Sequence, residues 1–195
     1  MGTDYGLTIN DAAIYTNQAA VTLTIGARVA TAQMMVSNDG LFQGANWESY
    51  TSRKAWTLTE YKPGTPATRL VYIKYQDTNG NTSGQYNDEI ILDVTPPTGS
   101  VSIVSSSGSA ARRLNAPVTL NLSATDDVSG VGGMMLSNGS DFAGAGWQPF
   151  AASTTRTLGA NNTVYVRFRD NAGNISPTYS ASLGSWKLLF PFIIR

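Results

Sequence analysis

Apolar and polar residues alternate with a period of two in several short runs. Val21, Leu23 and Ile25 fall on one face, with Thr22 and Thr24 on the other. Val71, Ile73 and Tyr75 oppose Tyr72 and Lys74, and Val164, Val166 and Phe168 oppose Tyr165, Arg167 and Arg169. Alternation rich in β-branched and aromatic residues marks strands buried on one face only. No long stretch follows a period of 3.6, so almost no helix is expected. Clusters of Gly, Asn, Asp and Pro separate the runs and supply the turns.

These runs occur twice. MMVSNDGLFQGANW at 34–47 reappears as MMLSNGSDFAGAGW at 134–147, an offset of 100. VTLTI at 21–25 pairs with VTLNL at 118–122, offset 97, and VYIKYQDTNGN at 71–81 with VYVRFRDNAGN at 164–174, offset 93. The offset changes place extra residues in Asp126–Gly130 of the second copy and around 60–66 of the first. Insertions settle most easily in inter-strand turns. A period of this size with about seven short strands per copy predicts two β-sandwiches in tandem. Pro96 and Pro97 lack amide donors and favour an extended chain, giving a short stiff connection. The expected division is 1–95, a linker over 96–100, 101–185, and a hydrophobic tail over 186–195.

Composition narrows the chemistry. Charged residues are 13% of the 195, and the formal net charge is zero, which argues against nucleic acid. There is no Cys and no His, so disulfides, thiolate metal sites, Cys nucleophiles and His bases are excluded. Each sandwich must therefore live on its core alone. No apolar run approaches the roughly 20 residues of a spanning helix. Met1-Gly2-Thr3 reads as an artificial start, so the chain is expected to be a segment of a longer, exported protein.

With these residues in hand, the chain resembles the tandem immunoglobulin-like (fibronectin III-like) repeats of large secreted and surface proteins of bacteria. The blocks ending Asn46-Trp47 and Gly146-Trp147, the Val-Tyr-Val-Arg-Phe strand, the Asp-x-x-Gly-Asn turn, the Thr95-Pro96-Pro97 junction and Asp126-Asp127-Val-Ser-Gly carry the likeness, over residues 7–183. It implies an extracellular or cell-surface spacer, stalk or adhesive module whose partners are neighbouring domains of a longer chain. A surface glycan or protein ligand, or service beside a secreted hydrolase, is the alternative. The chain lacks the Cys pair of antibody domains, so no antibody-like ligand mode is carried over.

Several residues invite a functional reading. Trp47 and Trp147 could stack on sugars, but their repetition favours a place in the core or over its edge, with Trp147→Ala costing about 3–5 kcal/mol. Asp77–Asn81 and Asp170–Asn174, with Asp126 and Asp127, could offer oxygens to calcium; turn chemistry, with positive φ at Gly80 and Gly173, is favoured, and no metal or other cofactor is expected. Carboxylates show no evident pairing for acid–base work, so no catalytic residue is assigned. The copies differ at Trp56, which stands where the second copy has Arg156, and in the 60–69 insertion bearing Tyr61. Trp56 and Tyr61 are the ligand-binding candidates, against the plainer reading of a longer loop with a hydrophobic plug. The tail WKLLFPFIIR at 186–195 reads either as a sorting signal or as a last edge strand, since Pro191 forbids a continuous helix.

Overall fold

The computed structural model describes residues 4–60, 62, 67–104 and 117–183. The chain divides into two compact units, residues 1–95 with 171–174, and residues 96–170 with 175–195. Among the described residues every regular element is a strand.

In unit 1, strands β1 (Gly6–Ile9), β3 (Ala20–Gly26) and β6 (Arg53–Thr57) form one antiparallel sheet in the order β1-β3-β6. The second sheet runs β2-β8-β7-β4-β5, from β2 (Tyr15–Thr16), β8 (Tyr86–Leu92), β7 (Thr68–Asp77), β4 (Thr31–Ser37) and β5 (Glu48–Ser49). All its pairings are antiparallel except β2 with β8. The two sheets close on Leu23, Ile25, Met34, Val71, Ile73, Tyr75 and Ile90, all buried. The alternation predicted this face because a strand's side chains point to opposite sides in turn.

Unit 2 repeats the plan. Strands β9 (Thr98–Val104), β10 (Pro117–Thr125) and β13 (Ser153–Thr157) form one sheet. Strands β12 (Trp147–Pro149), β11 (Val131–Ser137), β14 (Thr163–Asp170) and β15 (Tyr179–Ser182) form the other, in that order. Leu120, Leu122, Met134, Leu136, Val164, Val166 and Phe168 fill its core. The register slips at the same place in both copies, between Thr31 and Gln33 in β4 and between Val131 and Gly133 in β11. A bulge inserts one residue and adds twist, so its repetition marks a designed feature of the fold.

The insertion of the first copy lies between β6 and β7, and Asp126–Gly130 lies between β10 and β11. β9 begins at Thr98, so the last residues of the predicted linker are already strand. The tail at 186–195 lies outside the described residues.

Candidate binding surface

The fourteen-residue repeat resolves into a scaffold in which most of the shared residues have a structural task. Met34 and Met134 enter the cores. Ser37 Oγ accepts the Asp39 amide at 3.0 Å, and Ser137 Oγ accepts the Gly139 amide at 3.0 Å, tightening the turn that leaves the strand. Phe42 and Phe142 both take φ of 56°, a left-handed conformation uncommon for a bulky side chain. Their amides donate to Asp39 O and Gly139 O, and their carbonyls accept from Ala45 and Ala145. Both rings are buried, with Lys74 Nζ and Arg167 Cζ each 4.5 Å from the ring centroid. Ring burial and a cation over the ring offset the local strain.

Asn38 and Asn138 tie the two sheets of each sandwich together at one end. Asn38 follows β4, and its Nδ2 donates to Thr57 O of β6, in the opposite sheet, at 2.9 Å. Asn138 makes the same bond to Thr157 O at 3.0 Å. In a chain without disulfides this is a polar clamp between layers. The other end of each amide shows what Trp56 does: Trp56 Nε1 donates to Asn38 Oδ1 at 2.7 Å, and Arg156 Nε donates to Asn138 Oδ1 at 2.9 Å. Two unlike side chains thus supply the same N–H, and burial lowers the Arg156 guanidinium's pKa. Trp56 is half-buried against the core of unit 1, with Lys54 Nζ 5.8 Å from its ring centroid. Its place against the core agrees with the plainer reading, a hydrophobic plug.

Trp47 and Trp147 are also half-buried and belong to neither core. Trp147 opens β12, opposite Met135, and Arg169 Cζ lies 4.7 Å from its ring centroid. The placement covers a sheet edge, and filling the core is ruled out for both rings. A truncation that leaves much of its neighbourhood open to water costs less than a core deletion. Trp147→Ala is therefore expected to lower stability by about 1–2 kcal/mol in urea unfolding, below the 3–5 expected for a core ring.

Where the insertion leaves β6 and enters β7, the described residues are held by one that sequence reasoning passed over. Arg69 is 8% exposed, and its guanidinium donates to Thr59 O at 2.7 Å, Thr68 O at 3.0 Å and Glu60 O at 3.2 Å. A planar cation with five N–H groups suits several carbonyls at once. Its signal was its phase, because Arg69 falls in step with Val71, Ile73 and Tyr75 on the core face of β7. Tyr61, the other ligand candidate, lies outside the described residues. Leu41, at the tip of the 38–46 loop, is 77% exposed, and its counterpart is Asp141.

The Asp77 turn is self-contained. Asp77 Oδ1 accepts the amides of Asn79 and Asn81 at 2.9 and 2.8 Å, and Oδ2 accepts Asn81 Nδ2 at 2.8 Å. The Asn81 side chain, followed by its backbone amide, holds the Asp77 carboxyl below its usual pKa. Gly80 and Gly173 both take positive φ, 85° and 100°. The second turn departs from the first in that Asp170 is buried, 3% exposed. Asp126 Oδ1 accepts the amides of Val128, Ser129 and Gly130 at 3.2, 2.9 and 2.8 Å. Gly130 takes a φ of 77° to complete that loop.

Comparison with solved structures agrees with this architecture. The chain is similar to the fibronectin(III)-like modules of Clostridium thermocellum CbhA, with a TM-score of 0.51 at 9% identity, over 91% of this chain and 94% of that one. It is similar to the FN1–FN3 domains of chicken CNTN1 at a TM-score of 0.47 and 16% identity, over 91% of this chain and 65% of that one. A bacterial ice-binding adhesin of 1.5 MDa gives a TM-score of 0.42 at 12% identity, over 92% of this chain and 63% of that one. No family model matches the chain, and no curated protein sequence matches it. The fold is a tandem pair of immunoglobulin-like, fibronectin III-like sandwiches. No helix among the described residues is long and apolar enough to cross a membrane.

Proposed function

We propose that the chain is a non-catalytic segment of an exported bacterial protein, whose folded units hold or display neighbouring domains at the extracellular surface. Its proposed division is 1–95 and 101–185 as modules, 96–100 as a linker whose last three residues already pair in β9, and 186–195 as the tail. One observation carries this reading: what the two copies share is spent on the fold. The shared Met, Ser, Asn and Phe residues of the repeat fill cores, shape turns and clamp sheets. A surface of Ser, Thr, Asn and Gly with little charge suits a module that stays soluble without attracting nucleic acid.

The second reading is an adhesion module that takes a glycan or a surface protein. It is favoured by what only unit 1 has: exposed Leu41, Trp56 on β6 of the opposite sheet, and the insertion that bears Tyr61. Asn38 opens the 38–46 loop that carries Leu41 and accepts the Trp56 N–H.

A polysaccharide and surface-protein binding screen separates the two. The spacer reading predicts no specific ligand, and equal behaviour of wild type and Trp56→Arg. That variant supplies the N–H that Arg156 supplies in unit 2, so unit 1 is expected to stay within about 1 kcal/mol of wild-type stability. Specific binding that Trp56→Arg or Leu41→Asp abolishes would establish the adhesion reading in its place.

A further inference from the structure

Asparagine followed by glycine occurs twice, at Asn79-Gly80 and Asn138-Gly139. The fold treats the two side chains in opposite ways. Asn138 is half-buried and held at both ends of its carboxamide: Nδ2 donates to Thr157 O at 3.0 Å and Oδ1 accepts from Arg156 Nε at 2.9 Å. Its backbone carbonyl accepts Asn161 Nδ2 at 3.2 Å. Asn79 is exposed along with Thr78, Gly80 and Asn81, and among the described residues only its backbone amide is engaged, on Asp77 Oδ1 at 2.9 Å. The glycine amides do not explain a difference. Gly80 N donates to Asp77 O at 3.1 Å, and Gly139 N donates to Ser137 Oγ at 3.0 Å.

We propose that Asn79 is a site of spontaneous deamidation in the folded protein, and that the Asn138 clamp protects the second copy of the same dipeptide. The Gly80 amide nitrogen loses its proton to solvent base and attacks Asn79 Cγ. The new N–Cγ bond closes a five-membered imide, and the carboxamide nitrogen leaves as ammonia. Water then opens either imide carbonyl, leaving aspartate or isoaspartate. Glycine favours the step because no side chain crowds its amide and its backbone turns freely. At 138 the carboxamide must first break two hydrogen bonds, one to a charged donor, before Cγ can swing to the amide. At 79 only an exposed turn must open, which is among the cheapest motions of a folded chain.

The product would loosen the turn. Isoaspartate lengthens the main chain between the Asn79 and Asn81 amides, both of which donate to Asp77 Oδ1, and it sets a second carboxylate beside Asp77. The exposed Asn-Gly of the Asp77 turn therefore ages faster than the clamped Asn-Gly that follows β11.

The test is peptide mapping by mass spectrometry of the full chain, incubated warm at mildly alkaline pH, with and without denaturant. In the folded protein, amide-to-acid conversion at 79 is expected to outpace that at 138 by about tenfold. In denaturant the two rates are expected to converge. Arg156→Ala is expected to raise the native-state rate at 138 several-fold and leave that at 79 unchanged. Equal native rates at the two sites would overturn the proposal. So would a difference that persists undiminished in denaturant, because flanking sequence and not the fold would then be its cause.

Discussion

Tyr75→Ala is expected to cost unit 1 about 3–5 kcal/mol, the range for deleting a buried aromatic ring. Tyr75 is fully buried at the centre of the sandwich. Its ring stacks on Tyr5 at 4.4 Å between centroids and meets Tyr86 edge-on at 5.9 Å. Its hydroxyl donates to Gly6 O at 2.7 Å, fastening β1 to the opposite sheet, and burial pushes the phenol's pKa upward. Tyr75→Phe should cost only about 1–2 kcal/mol, since the ring stays and one part-buried acceptor loses its donor. Unit 2 already carries Phe168 at this position, and there a different hydroxyl, that of Tyr179, meets the first strand by accepting the Gly99 amide at 3.0 Å. Urea unfolding of both variants checks the pair; a Tyr75→Ala protein as stable as Tyr75→Phe would contradict the packing described.

Gly99→Ala is expected to destabilise unit 2 by about 3 kcal/mol or more, by overpacking. A Cβ on Gly99 would stand 2.5 Å from Phe168 Cε2 and 2.8 Å from Cδ2, and would strike the Ser123 carbonyl oxygen as well. Two of these three obstacles belong to a ring that is itself fully buried, and the third is backbone, so neither yields cheaply. Gly6 of β1, in the first strand of unit 1, has open space where its Cβ would stand. Gly6→Ala is the control, expected to cost less than about 1 kcal/mol. Similar losses for the two alanine variants would show that β9 does not lie against Phe168 as described.

Much of the fold was legible because strand phase reports burial directly. Val21, Leu23, Ile25 and the Val71 and Val164 runs face their cores as the period of two requires. The repeat located equivalent strands even where the intervening loops differ. Phase also held information that a hydrophobic pattern alone overlooks. Arg69 and Gly99 sit in step with core residues, one as a buried cation held by carbonyls, the other as a side chain deliberately missing. Arginine is normally exposed and glycine normally marks a turn, so the residue types drew attention away from their positions.

The candidate surface was less legible. Trp47 and Trp147 stand at or next to the two- and three-residue strands β5 and β12, where too little alternation exists to assign a face. Trp56 differs from Arg156 in every respect that composition records, yet both deliver one N–H to the same asparagine. That equivalence depends on Asn38 reaching across to the opposite sheet, a tertiary relation with no local signature. The difference between the copies is therefore partly silent in structure, and Leu41 with the inserted segment remains as what distinguishes the sequence of unit 1.

Single-molecule pulling on the chain held at its two ends tests most directly the claim that the proposed spacer is built of two separately folded modules. Two separately closed cores should give two discrete unfolding events, each releasing about 300 Å of extended chain. Tyr75→Ala should weaken one event and Gly99→Ala the other. Smooth extension without discrete events, or one event releasing the whole length, would contradict the account.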